Sequence, residues 1–146
     1  MGRIDSAKRV MNGTFTSVWL DSELVGEAYG LQAKMKFTKE KVQLCGQMAT
    51  DSKVVAVEGT GSLKMRKVYS RMGALIGEKI RNGQDVRFEL VSKIADPDAY
   101  GAERVCYKNV SFDDLTLSDF EAGKIANVEA PFTFTDYEYL DLVAPK

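Results

Sequence analysis

The side chains that most often do chemistry are thinly represented in this chain. It has no histidine, which removes the commonest general base, the commonest metal ligand and every Ser–His or Cys–His nucleophile pair. Its two cysteines, Cys45 and Cys106, fall in separate segments that read as strands. They lack metal-ligand spacing, and zinc would find no further partners, so both are read as small apolar core residues rather than a disulfide. Carboxylates come in pairs at Asp96-Pro97-Asp98 and Asp113-Asp114. A calcium site needs six or more oxygens from a patterned loop, which neither pair offers, and both read as solvated loop or strand ends. Gly59-Thr60-Gly61-Ser62 has the composition of a phosphate cradle. However, no Gly-Lys-Ser/Thr step opens a helix there, and no third glycine completes a dinucleotide fingerprint. These glycines mark strand geometry. Lys34, Lys36, Lys64 and Arg66 sit on polar strand faces without the alternating aromatics of a nucleic-acid platform, and pairing with acids such as Glu129 is expected. No catalytic, cofactor-binding or metal-ligating set emerges.

Two modification patterns are formal only. Met1-Gly2-Arg3-Ile4-Asp5-Ser6 fits a myristoylation pattern, but no second membrane signal follows it. Asn12-Gly13-Thr14 and Asn109-Val110-Ser111 are glycosylation sequons without a secretory signal. No apolar run approaches membrane-spanning length, so the chain is expected to carry no membrane anchor and to be intracellular until assembled or released.

The elements that position these residues are mostly strands. Residues 1–13 are polar and end in Asn12-Gly13, an N-terminal arm signal. Thr14 to Leu20, a turn at Asp21-Ser22 and a return at Leu24-Val25 predict a hairpin. Leu31, Ala33, Met35 and Phe37 alternate with polar residues, so they predict a strand with one buried face. Residues 46–54 break that pattern and predict a long loop, and Val55 to Val68 returns to strand. Within it Gly59 and Gly61 suggest a bulge or a close backbone approach. Ser70 and Asn82-Gly83 bracket a helix with Met72, Leu75, Ile76 and Ile80 as its apolar stripe. Further strands are expected around Val86–Leu90, Glu103–Val110, Leu115–Phe120 and Ile125–Tyr137. In the last, Ala126, Val128, Ala130, Phe132 and Phe134 share a face, and Pro131 on the other implies that the strand is locally an edge or bulged. One helix among about seven strands predicts a mainly β fold, a barrel or sandwich with a flanking helix.

At 146 residues with 20 basic and 21 acidic side chains, the chain reads as one domain over 1–146. Its near-zero net charge gives no reason for tight nucleic-acid binding, and the low self-repulsion suits packing against copies of itself. Two classes remain open on these grounds: a self-assembling structural subunit and a small β-barrel ligand-binding module.

A resemblance separates them. Glu103-Arg104-Val105 leading into Val110-Ser111-Phe112-Asp113, the terminal Pro131-Phe132-Thr133-Phe134 with its acidic and aromatic followers, and Gly59-Thr60-Gly61 before a short helix resemble, in this order, the tail tube proteins of contractile phages, nearest to those of PBSX-like prophages. The likeness runs over roughly Gly13 to Tyr139. It implies two packed antiparallel sheets with one helix at the side, and six copies per ring, with rings stacked into a tube. The implied partners are sheath, baseplate and tail terminator proteins, with DNA passing the lumen without sequence-specific binding. The implied location is a phage tail or a phage-tail-like particle, and neither enzyme activity nor a cofactor is implied. The 46–60 segment is expected to be a long assembly loop, with Gly46, Met48, Asp51, Val54, Val55, Gly59 and Gly61 at the subunit interface.

Overall fold

The computed structural model describes residues 6–99 and 101–143. Residues 1–5, with the myristoylation-like motif and the start of the expected arm, and Tyr100 in the 96–101 loop lie outside them. The rest of the arm makes a short 3₁₀ turn, Ala7–Arg9, capped by the Ser6 hydroxyl on the Lys8 N–H. Asp96 then pins it: one carboxylate oxygen accepts the Asn12 N–H at 2.9 Å and the other the Asp98 N–H at 2.9 Å. Asp96 is buried, the one charged residue to be so among the described residues. The expectation of a solvated loop acid is therefore corrected, because two backbone N–H donors replace the water it loses.

β1 (Thr16–Leu20) and β2 (Glu23–Leu24) form the expected hairpin, turned through Asp21 and Ser22, both at positive φ. Positive φ at both central residues matches the right-handed strand twist. β3 (Ala28–Gln43) and β4 (Thr50–Arg66) form a much longer one. The 46–60 loop therefore contracts to a short connection over 44–49, and from Thr50 onward the chain is strand. Short polar side chains at 50–53 read as loop, but in the structure they are laddered to Gln43, Val42, Lys41 and Glu40.

The helical segment spans 71–81, with a π-turn at Gly73–Gly77 running into α1 (Glu78–Arg81). It stops at Asn82-Gly83, where Gly83 has φ +77° and the Gly83 and Gln84 N–H groups bond back to the Ile80 and Lys79 carbonyls, as a left-handed C-terminal glycine allows. Met72 and Ile76 are buried, whereas Ile80 is exposed. The π-turn's extra residue rotates the apolar stripe off the sheet after Ile76. Arg71 anchors the segment through a bidentate pair with Glu27 (2.9 and 3.0 Å) and a bond to Glu23.

β5 (Phe88–Ile94), β6 (Glu103–Phe112), β7 (Asn127–Phe134) and β8 (Asp136–Asp141) complete the set. The strand expected at Leu115–Phe120 is absent, and 113–126 is irregular. The strand expected over Ile125–Tyr137 is two strands broken at Thr135. All pairings are antiparallel in the order β2-β1-β5-β6-β7-β4-β3, with β8 also on β6.

The two expected sheets are thus two halves of one ladder that share β6. Residues 104–108 of β6 carry β8, and Ser111-Phe112 carry β7. Between them Asn109 adopts φ +59° and its side-chain amide donates to Thr135 Oγ1 at 3.2 Å. Asparagine tolerates this left-handed conformation, so it is accommodated at the fork without strain from a larger side chain. Asp113 N–H still donates to the Pro131 carbonyl oxygen at 2.8 Å, but Pro131 has no N–H to return a bond, and the β6–β7 ladder ends there. The halves face each other across a core led by Leu63, Leu90, Val110 and Phe132. Edge-on contacts at 5.0–6.0 Å link Tyr107 to Phe134, Phe88 to Phe112 and Phe112 to Phe132.

Candidate assembly interface

β4 has a partner on each side only at its base. Gly59 to Arg66 pair with β7, but from Thr50 to Glu58 the outer edge of β4 is unpaired, and β3 is the last strand of the ladder throughout. The distal hairpin is therefore a two-stranded ribbon. Every residue from 36 to 58 is exposed, and at roughly 3.4 Å per residue the run from Phe37 to Leu44 projects ~24 Å beyond the core. A lone two-stranded ribbon is marginal in water, and this one carries apolar side chains uncovered by its own subunit: Phe37, Val42, Leu44, Val54, Val55 and Val57.

Register sorts them. Phe37 opposes Val57 and Lys39 opposes Val54, on the same face that packs the half-buried Leu31 and Met35 against the core nearer the base. The core stripe thus runs on past the end of the core. Phe37 was expected inside it; at 57% exposure it lies beyond. Val55 has no opposite residue: Thr38 pairs with Ala56 and Lys39 with Val54, so Val55 is a β-bulge that twists the ribbon. On the other face Lys36 opposes Glu58 and Glu40 opposes Lys53, which favours the register.

Of the residues expected at a subunit interface, five lie on this ribbon. Gly46 (φ +78°) turns its tip, Met48 is fully exposed beside it, and Asp51, Val54 and Val55 line β4. Gly59 and Gly61 do not join them. An added Cβ at Gly59 would lie 2.6 Å from the Phe134 ring and carbonyl oxygen, and at Gly61 2.5 Å from the Gln32 carbonyl oxygen and the Phe132 ring. These glycines let the two phenylalanine rings pack directly against β4, the close approach read from the sequence.

Cys45 also differs from expectation. It is exposed at the ribbon tip, whereas Cys106 is buried, and both are free. Burial, with the Glu89 carboxylate 3.2 Å away, pushes the Cys106 thiol up to about 11. Lys64 stands directly opposite Glu129 across the β4–β7 ladder, as expected, while the Glu129 carboxylate accepts a hydrogen bond from Ser62 (3.0 Å), and Arg66 stacks over Tyr29 and bonds Asn127.

Other free edges bracket the ribbon. β8 is held to β6 by its ladder and by the Arg104–Asp141 and Lys108–Glu138 pairs, and its remaining edge is open. Between the ribbon base and β8 lies a cleft of about 370 Å³ lined by Met35, Phe37, Val105, Tyr107, Tyr137 and Tyr139. The seam between β1 and β3 also stays open, as a groove of about 690 Å³ whose walls include Thr16, Ser17, Gln32, Ser92 and Lys93. Among the described residues no group of His, Cys, Asp and Glu side chains could hold a metal ion, and no helix is long and apolar enough to cross a membrane.

The comparisons agree with this architecture. The phage-like element PBSX protein XkdM of Bacillus subtilis strain 168 is 28% identical over 134 residues, spanning 90% of this chain and 91% of that protein. A chain in the extended sheath–tube complex of an extracellular contractile injection system superposes with TM-score 0.74 at 10% identity, covering 93% of this chain and 95% of its own length. A chain of the tube-terminating cap of the anti-feeding prophage gives 0.73 at 12%, covering 96% and 97%; at these identities the likeness is one of fold. The family model described as phage tail tube protein matches residues 5–141, and the chain belongs to that family.

Proposed function

We propose that this tail tube subunit assembles into six-membered rings that stack as the inner tube of a contractile tail or tail-like particle. The observation that carries the proposal is the unpaired β-edge: β3 along its length, β4 over 50–58 and one side of β8. Open edges on a soluble chain invite pairing with another chain. Copies joined edge to edge close those edges in a ring, as a barrel does. Gly46, Met48, Asp51, Val54 and Val55 on the ribbon then meet the adjacent ring. The fold's likeness to chains of sheath–tube, cap and baseplate assemblies supports sheath, baseplate and terminator proteins as the further partners and a particle-bound location. The near-zero net charge of the chain suits a lumen that lets DNA pass without gripping it. The role is structural, with neither catalysis nor a cofactor.

Negative-stain microscopy of the purified chain over a concentration series tests this. Rings and tubes of uniform diameter are expected. A chain that stays monomeric at every concentration and salt, with a small molecule retained in the groove between β1 and β3, would favour the ligand-binding alternative, since that groove has a size typical of ligand sites.

A further inference from the structure

The strand directions give the molecule two chemically different ends. β3 runs toward the ribbon tip, β7 runs the same way and β6 the opposite way. The segment joining the end of β6 to the start of β7, residues 113–126, therefore sits at the end opposite the ribbon. It is long for a connection without regular structure, and such loops are usually functional. Leu117, Phe120 and Ile125 on it are 81, 83 and 76% exposed. The segment carries Asp113, Asp114, Asp119 and Glu121 against one basic residue, Lys124, which pairs with Glu121, and Lys67 lies beside Leu117 and Phe120. The ribbon face carrying Phe37, Val54 and Val57 has the opposite sign, with Lys39 and Lys41 on it and no carboxylate.

We infer that the 113–126 segment of one subunit is the receptor for the apolar ribbon face of a subunit in the next ring. The inference rests on the tube reading. Each surface is apolar with an excess of one charge sign, and the two are complementary: valines and Phe37 with lysines against Leu117, Phe120 and Ile125 with a majority of carboxylates. Opposite charges fix register and exclude self-pairing of like ends. Because the surfaces are different and lie at opposite ends, the contact is head-to-tail and does not close. It repeats into a stack rather than a pair.

Two variants test it. V54E/V57E spoils the ribbon and L117E/F120E spoils the receptor; both sets of side chains lie outside the core cluster. Each alone is expected to form rings but no tubes. Rings of the two mixed together should form ring pairs and nothing longer, because only the receptor-variant ribbon finds an intact receptor. In a Cys45→Ser background, Val57→Cys with Leu117→Cys should give intersubunit disulfides in wild-type-length tubes, which reads proximity without removing either surface. Full-length tubes from L117E/F120E, a mixture that stays as single rings, or tubes without the Val57–Leu117 cross-link would each overturn the inference. A wild-type chain that makes no rings overturns instead the tube reading, and this inference falls with it.

Discussion

Replacing Gly61 with alanine should destabilise the subunit, and replacing Gly30, opposite Lys64 on the same β3–β4 ladder, should not. Both glycines lie in paired strand and neither has positive φ, so alanine is allowed by the backbone at each. Each substitution also reduces the freedom of the unfolded chain, a gain of about 0.4–1 kcal/mol. The difference is space. At Gly30 the new methyl meets only the aliphatic part of Lys64 at 3.5–3.9 Å, which is ordinary contact. At Gly61 it would lie 2.5 Å from the Gln32 carbonyl oxygen and 2.5 and 2.9 Å from the Phe132 ring. The ring belongs to a residue 1% exposed, and the carbonyl is laddered backbone, so neither yields freely. Overpacking of this kind costs about 1–3 kcal/mol. Its upper end, less the unfolded-state gain, leaves a loss of about 2 kcal/mol. Urea melts of dilute, unassembled protein read this directly. With a slope of about 2 kcal/mol/M the Gly61→Ala midpoint should fall by roughly 1 M, and the Gly30→Ala midpoint should hold or rise. Equal midpoints for the two variants would refute the packing assigned to β4 and Phe132.

Phe132→Ala should cost about 3–5 kcal/mol as a buried aromatic truncation, whereas Phe37→Ser and Val57→Thr should leave monomer melts nearly unchanged and impair stacking seen by microscopy. Arg71→Met strands the Glu27 carboxylate, whose side chain is 4% exposed, and should cost about 3–5 kcal/mol at pH 7. The Arg71 guanidinium holds Glu27 below the usual carboxylate range, so in wild type this stabilisation is present above pH ~4.3 and disappears as pH falls through the lower folded value. The variant should instead recover part of its loss on acidification, read from melts at pH 7 and pH 4. Cys45 should react with a thiol reagent at once at pH 8 in free subunits and slowly in tubes, while Cys106 reacts only on unfolding; equal rates in the folded subunit would contradict the burial of Cys106.

Elements whose signal is local were legible in the sequence. Strict alternation over Leu31–Phe37 and Val128–Phe134 set strands and their buried faces, because side chains on a strand alternate whatever lies around it. Asp21-Ser22 and Asn82-Gly83 set a turn and a helix stop, since those residues tolerate left-handed backbone. The order of its β-strand motifs also pointed to the family.

What it left undecided depends on partners distant along the chain. The polar residues Thr50–Lys53 are strand only because β3 lies alongside them. Leu115–Phe120 has β-forming residues and no neighbour to pair with, so it stays irregular. The fork at Asn109 and Thr135 follows from β6 meeting β8 and then β7, a choice that no local pattern encodes. Gly59 and Gly61 were legible as close-approach positions, but which rings they admit was not. Where the core stripe of β3 ends was hidden for the same reason. Phe37 continues the period of Leu31 and Met35, and only the end of β7 at Phe134 leaves it outside the core, on a ribbon that its own subunit does not cover.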